Sequence, residues 1–370
     1  MAVNWTFGTQ SQLTNCDFMP QIQYSHANIA LIAGSTLTSL IATSGNFVII
    51  LTILNSYRLR ENVTYIFVLS LSIADFLVGL VAQPLFIFNV FTRLKYSKVC
   101  AAGYAATFIS CSGSINGIIG ITLERFLYIV NPEKYDRLLG RKRAIAIIIF
   151  LWCIGISITA LHVTLYKPLI IQASALALIL ASFIISLGAN IKFLMLSTEK
   201  RKKDQTYRPT VKQSKSTTSQ HTQITLLILK LCIAFGICWI PCGVLGLILA
   251  IDKKMENDNV VVQVYYWSIL LGYSNSALNI LIYGKGNTVL SCEVKRFLRL
   301  KKYGNNNSVW LSLGRLYAML YRLQRKVTKR PYTYELFALM LSYYYQENKK
   351  SRIFITFSFV CILILNACIN

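Results

Sequence analysis

Asp75 is the one ionisable residue in the run Leu69-Ser70-Leu71-Ser72-Ile73-Ala74-Asp75-Phe76-Leu77. A carboxylate in such surroundings must be protonated, or be met by donors or a cation. Neutral partners occur in other apolar runs: Gly45-Asn46, Ser110 and Ser114 one helical turn apart, and Asn275, Ser276 and Asn279. The residues leave two readings equal. Asp75 is a protonated structural acid satisfied by amides, or it belongs to a hydrated sodium site, since hard cations prefer oxygen ligands. A second constellation is Glu124-Arg125-Phe126. The Arg125 guanidinium stays charged at any biological pH and needs a carboxylate, a backbone oxygen or water. Otherwise it is an interfacial arginine that snorkels to the headgroups. A third is Phe235-Gly236-Ile237-Cys238-Trp239-Ile240-Pro241. Pro241 removes a backbone hydrogen bond and weakens its helix. Trp239 beside that point is either a lever or an ordinary packed aromatic. The ten cysteines and three histidines (His26, His162 and His221) show no metal-site spacing. The chemistry legible here is binding and switching, with no catalysis.

These residues must be held by membrane helices. The chain is 55% hydrophobic and 14% charged, against about 25% charged in soluble domains. Apolar blocks run over Ile29–Leu54, Tyr65–Phe88, Cys100–Ile129, Ala144–Leu165, Leu169–Leu196, Ile224–Ile251 and Val260–Tyr283. Each suits the roughly 20 residues needed to cross about 30 Å of hydrocarbon. The expected fold is an all-α membrane protein, a seven-transmembrane helix bundle occupying 28–284. The net charge of +24 lies in the segments between apolar blocks. That pattern orients spans and touches anionic lipid heads rather than binding nucleic acid.

Placing the N-terminus outside puts fourteen basic residues in the inner connections, from Arg58 to Lys215, and six in the outer ones. The bias favours N-terminus out and C-terminus in. Residues 1–27 are then extracellular, with no apolar core of a cleavable signal. Asn4-Trp5-Thr6 becomes a usable glycosylation sequon at Asn4. The 25 residues from Cys100 to Arg125 cover about 37 Å at about 1.5 Å each. Cys100 therefore sits at the outer mouth of the third span and Arg125 at the inner one. The inner segment Thr198–Gln223 is polar and basic, and a solvated loop is expected there. Within 285–300, Thr288–Leu300 forms either a basic amphipathic helix resting on lipid, with Cys292 available for palmitoylation, or a plain solvated helix. Residues 301–370 read as a basic cytoplasmic tail. The apolar stretch Ile353–Ile369 is an eighth helix, a membrane-dipping tail or an incorrectly translated end. The abrupt shift to Tyr, Lys, Asn and Ile favours the last.

Taken together, the motifs between about 28 and 300 resemble the rhodopsin-like G-protein-coupled receptors. The matching elements, in order, are Gly45-Asn46, Leu71 through Asp75, Glu124-Arg125-Phe126, Trp152, Cys238-Trp239-Ile240-Pro241 and Asn279-Ile280-Leu281-Ile282-Tyr283. The resemblance implies a plasma-membrane receptor coupling an extracellular ligand to a heterotrimeric G protein, with arrestin as a second inner partner. Glu124, Arg125, Phe126, Phe235, Trp239, Pro241, Asn279 and Tyr283 would form the coupling and switch machinery. Asp75, Ser114, Asn275 and Asn279 would surround an allosteric sodium ion, the only cofactor implied. Several positions depart from the family pattern. Ile280 replaces a proline, and the fifth span has none beyond Pro168. The short connection between the fourth and fifth spans has no cysteine to pair with Cys100, which leaves Cys16 on the outer side. His221 stands where many relatives carry an acid that restrains the arginine, which implies raised basal signalling. The short outer loop is similar to the melanocortin, lysophospholipid, cannabinoid and adenosine group.

By spacing from Arg125, the amine-binding aspartate of that family corresponds to Thr107, and 101–122 contains no acid. The retinal lysine corresponds to Tyr273, and the asparagine of adenosine receptors to Gly246. Amines, retinal and adenosine are therefore disfavoured. Thr107, Ser110, Trp239, Tyr266, Ile269 and Tyr273 are the expected ligand-binding residues. They suit a lipid-like or small neutral ligand, or a peptide reaching in from above. The alternatives are a small transporter or channel, for which no internal repeat is seen, and a seven-helix homologue that does not signal.

Overall fold

The computed structural model describes residues 19–22, 26–94, 96–130, 132–165, 167–207 and 212–303. Asn4, Cys16, the tail beyond 303 and its apolar stretch lie outside the described residues. Seven long helices follow in chain order: α1 (His26–Asn55), α2 (Val63–Phe91), α3 (Ser97–Val130), α4 (Arg141–Leu165), α5 (Pro168–Tyr207), α6 (Lys212–Ile251) and α7 (Asn259–Gly286). An amphipathic helix, α8 (Thr288–Tyr303), follows directly. Among the described residues, α1 to α6 are long and apolar enough to cross a membrane. Helix α7 is equally long but carries Gln263, Ser268, Asn275, Ser276 and Asn279, all buried against its neighbours.

The distribution of side chains is that of a membrane bundle. Ile149, Phe150, Ile184, Ile185 and Met195 are exposed, whereas Asn46, Asp75, Asn190, Asn275 and Asn279 are buried. In lipid the polar groups must be satisfied among the helices, and apolar side chains face outward at no cost. Helix α3 is central and packs against α2, α4 and α5. Its spacing Gly113-Ser-Ile-Asn-Gly117, with Gly120 one turn on, lets α2 and α4 approach closely. The Trp152 ring lies over Gly113, Leu71 over Gly117 and Phe67 over Gly120. Small residues at this spacing provide the contact area that drives helix association in lipid. Trp152 also donates from Nε1 to Ser70 Oγ at 3.0 Å, which joins α4 to α2.

Two local features position the functional residues. Helix α2 widens into a π-helical turn over Val78–Ala82, and the Ser39 hydroxyl of α1 donates to the Gly79 carbonyl at 2.7 Å. Such a turn shifts the register of residues beyond it and is common at functional sites. Helix α6 runs through Pro241 without ending, so the weak point lies inside a continuous rod.

The expected loop at Thr198–Gln223 is a correction. Helix α5 continues to Tyr207 and α6 begins at Lys212. Glu, Lys, Arg and Gln, which are good helix formers, dominate the extension of α5. Once a helix has left the bilayer its polarity carries no penalty, so hydropathy is silent about where it stops.

Candidate functional site

The polar residues form three stations stacked across the bundle. The outermost is a cavity between α2, α3, α5, α6 and α7. Phe86 and Asn89 enter from α2, and Tyr104, Thr107, Phe108 and Cys111 from α3. Gln172 and Ile179 enter from α5, Trp239 and Cys242 from α6, and Tyr265, Ile269 and Tyr273 from α7. No Asp, Glu, Lys or Arg lines it among the described residues. The Thr107 hydroxyl donates to the Gly103 carbonyl at 2.8 Å. Its oxygen is then free to accept from Tyr273 Oη, 2.7 Å away, bridging α3 to α7. Trp239 forms the floor. It meets Tyr273 edge-on at 6.0 Å and Phe235 at 6.4 Å, geometries favoured by the ring quadrupoles. Its six-membered ring lies on Gly272, where an added Cβ would come within 2.8 Å.

Of the expected ligand residues, Thr107, Trp239, Ile269 and Tyr273 line this cavity together. Ser110 and Tyr266 do not. Tyr266 turns toward Phe86 of α2, 5.8 Å away, and its neighbour Tyr265 takes the cavity face. Gln172 and Asn89 are additions that the sequence did not single out. The Gln172 carboxamide fills the space that a side chain at position 246 would need, its Oε1 lying 2.6 Å from a Cβ built there. The amide at this level thus comes from α5 rather than α6. Asn89 is buried with its Oδ1 lacking a protein partner.

The middle station surrounds Asp75, which has no solvent-exposed surface. Its Oδ1 accepts from Ser114 Oγ at 3.1 Å and Ser276 Oγ at 2.9 Å, and its Oδ2 from Asn279 Nδ2 at 2.8 Å. Three donors from two helices meet one carboxylate. Ser276 stands where the resemblance had placed Asn275. Asn275 is buried close by with its Oδ1 unpartnered, as is Oδ1 of Asn279. A set of one carboxylate, two hydroxyls and two unsatisfied amide oxygens has the composition hard cations select. Asn46 ties this station to α7, donating to the Ser276 carbonyl at 3.2 Å. Tyr283 is buried below it.

Ile280, the departure from proline, has a structural counterpart. It packs directly on Gly45, and a Cβ there would run into Ile280 Cδ1. The glycine of α1 makes room for the branched side chain of α7. Gly45→Val should therefore overpack this contact, at about 1–3 kcal/mol. A thermal-shift assay on purified protein checks it: Gly45→Val unfolds at lower temperature, and Gly45→Val with Ile280→Ala recovers part of the loss.

The innermost station holds Arg125 and Glu124, both buried. Arg125 Nε lies 2.7 Å from Glu124 Oε2, and Arg125 also donates to Thr64 Oγ1 of α2. Glu124 Oε1 accepts from the Tyr135 hydroxyl at 2.6 Å, in the one-turn helix Tyr135–Leu138 of the inner loop. Phe126 is on the other side, with Lys192 Nζ of α5 5.7 Å from its ring centroid. Restraints on the arginine thus come from α2 and, through the inner loop, from α3. The side chain of His221 lies outside the described residues.

Cys100 is disulfide-bonded and packs with Leu94 and Met19. Cys111, Cys153, Cys232, Cys238, Cys242 and Cys292 are free thiols, so its partner lies outside the described residues, as does Cys16. Cys292 is exposed on α8.

The seven-helix order and this polar column have a counterpart among known proteins. The family model described as 7 transmembrane receptor (rhodopsin family) matches residues 45–175 and 166–283. This chain belongs to the rhodopsin family of seven-transmembrane receptors. Its relatives include the melatonin receptor type 1A of Phodopus sungorus, 29% identical over 278 residues, covering 69% of this chain and 76% of that one. The human melatonin receptor type 1B is 25% identical over 290 residues, covering 73% and 78%. The chicken type 1C is 25% identical over 295 residues, covering 74% and 83%. As a rhodopsin-family receptor the chain is a multi-pass membrane protein. It transmits the binding of an extracellular ligand to a G protein and is not an enzyme.

Proposed function

We propose that this receptor sits in the plasma membrane with its N-terminus outside, and that its outer cavity takes a small, neutral, largely apolar ligand of melatonin's kind. The observation that carries the reading is the cavity lining: aromatic walls, the hydroxyls of Tyr104, Thr107, Ser112, Tyr265 and Tyr273, and two carboxamides, without an ionised group among the described residues. A charged ligand entering there would lose its hydration without gaining a counter-charge. A neutral one loses little, and the hydroxyls and amides orient it. The relatives named as melatonin receptors support the ligand class.

Binding in this cavity bears on Trp239 and on the Thr107–Tyr273 bridge, both part of its wall. Displacing Trp239 bends α6 at Pro241, where the backbone hydrogen bond is already missing. The inner end of α6 then swings away from α3 and opens a cleft beside Arg125. That cleft admits the G protein, and arrestin competes for the same face. Asp75, Ser114, Ser276, Asn279 and Asn275 would hold a sodium ion in the resting state. The ion would supply a positive charge that neutralises the carboxylate and holds α2, α3 and α7 together. Helix α8, with Lys295 and Arg296, rests on anionic lipid heads.

The test is nucleotide exchange on purified heterotrimeric G protein by the receptor in nanodiscs, titrated with melatonin. The expected result is a saturable rise in exchange that Trp239→Ala abolishes. No rise at any concentration would exclude melatonin as the ligand. A rise unchanged by Trp239→Ala would exclude the floor as the switch.

The inner station gives a second expectation. Tyr135→Phe removes one hydrogen bond from Glu124 and loosens its hold on Arg125. Basal exchange should rise by about tenfold or more, the factor for one hydrogen bond to a charged group of about 1.5 kcal/mol or more. An unchanged basal rate with normal surface expression would show that Tyr135 takes no part in the restraint.

A further inference from the structure

The outer mouth of the cavity is built partly from the segment before α1. Met19 lines the cavity itself. Pro20 accepts a hydrogen bond on its carbonyl from Tyr266 Oη of α7, at 3.0 Å. Ile22 is only 4% exposed and belongs to the apolar core of the bundle. Met19 also packs against Leu94 and the disulfide-bonded Cys100. Leu94 reaches that position from a strained turn, since Arg93 and Leu94 adopt φ of 53° and 59° in succession. Non-glycine residues hold the left-handed region only where surrounding contacts impose it. Helix α4 ends at Leu165 and α5 begins at Pro168. The connection between them is too short to fold across the mouth, at no more than about 3.6 Å per residue.

We propose that Met19–Ile22 is a strap that walls the cavity and governs entry from the aqueous side, with Met19 as a contact that selects apolar ligands. The proposal rests on reading the cavity as the ligand site. Ile22 and the Tyr266–Pro20 hydrogen bond pin one end of the strap. The Leu94–Cys100 cluster holds Met19 from the other side. The unbranched thioether side chain adapts to ligands of different outline, which a β-branched residue could not do. Opening the strap breaks one hydrogen bond and exposes Met19, so the mouth is closed at rest but not sealed. This also gives Tyr266 a role: it anchors the strap rather than touching the ligand.

Two native thiols report on the mouth without any ligand. Cys111 and Cys242 line the cavity and are free. Cys232 is a buried thiol nearly three turns further in on α6, 3.9 Å from the Phe183 carbonyl. Full-length receptor in nanodiscs is treated with 2-hydroxyethyl methanethiosulfonate, a small neutral and water-soluble thiol reagent, and the modification of each cysteine is followed by peptide mass spectrometry. In Tyr266→Phe, Cys111 and Cys242 should react about fivefold faster than in wild type, the factor for losing one neutral hydrogen bond, and in Met19→Gly, which removes the apolar contact at the mouth, they should also react faster. Met19→Leu should keep the wild-type rate, and Cys232 should not change in any variant. Unchanged rates in both Tyr266→Phe and Met19→Gly would overturn the proposal. So would a parallel rise at Cys232, which would mean general loosening of the bundle. Failure of melatonin to activate the receptor leaves these rates untouched, so the two readings fail separately.

Discussion

Arg125→Ala abolishes ligand-stimulated nucleotide exchange while leaving the outer cavity able to bind, and Glu124→Gln moves exchange the opposite way. The reasons are electrostatic. Arg125 and Glu124 are buried side by side, 2.7 Å apart, with Thr64 and Tyr135 supplying further hydrogen bonds. Breaking a buried pair by removing one partner costs about 3–5 kcal/mol, because the other charge is left uncompensated. Removing Arg125 strands Glu124 and takes away the cation that would meet the G protein. Neutralising Glu124 instead leaves Arg125 with the Thr64 hydroxyl and a weakened neighbour. That arginine is released toward the inner surface, and basal exchange should rise at least about tenfold, a factor equal to about 1.4 kcal/mol of lost restraint. The measurement is G-protein nucleotide exchange per receptor, with surface expression measured in parallel. Equal basal activity of wild type and Glu124→Gln would show that the pair does not restrain the switch.

The second large effect is expected at Asp75. Asp75→Ala removes the acceptor of three hydrogen bonds, from Ser114, Ser276 and Asn279. Each buried donor left unsatisfied costs about 1–3 kcal/mol, so the loss reaches several kcal/mol even after partial repacking. Asp75→Asn keeps the shape but not the charge. One of its atoms becomes an NH2 facing hydroxyls or the Asn279 amide, which must turn over to accept. The stability loss is then smaller, and the expected response to cations disappears. Wild-type receptor should unfold at higher temperature in 150 mM NaCl than in the same concentration of choline chloride, with melatonin affinity lower in sodium. Asp75→Asn should show neither difference. A sodium effect that survives in Asp75→Asn would place the ion elsewhere.

Spans α1 to α6 were legible because each presents about 20 apolar residues to lipid, and α7 as an apolar block interrupted by the polar residues it buries against its neighbours. The limits of α5 and α6 were not, since both helices run on past their apolar blocks, α5 to Tyr207 and α6 from Lys212, and polarity there marks the bilayer's edge rather than the helix's. The middle station was legible as a carboxylate needing partners, and Ser114 and Asn279 were assigned to it through the resemblance to the receptor family. Asn275 and Ser276 are adjacent, about 100° apart on α7, and both flank the face of Asn279. Only the rotation of α7 in the bundle decides which one reaches Asp75. The same ambiguity exchanged Tyr265 for Tyr266. Gln172 was invisible for a different reason. It fills the space left by Gly246, and a vacancy on one helix filled from another leaves no local mark in the sequence. Gly45 read as a match to the family pattern and Ile280 as a departure from it, until their contact made them one feature.

The central claim is that the outer cavity and Arg125 are two ends of one switch. Thermodynamic linkage then requires reciprocity: whatever ligand binding does for the G protein, the G protein must do for the ligand. The direct measurement is the melatonin affinity of the receptor in nanodiscs, with and without nucleotide-free heterotrimeric G protein. Binding should be tighter by roughly 5–150-fold with the G protein present, the usual range of such coupling. The gain should be lost on adding a non-hydrolysable GTP analogue and absent in Arg125→Ala. Melatonin binding of the same affinity with and without the G protein, in wild type as in Arg125→Ala, would contradict it.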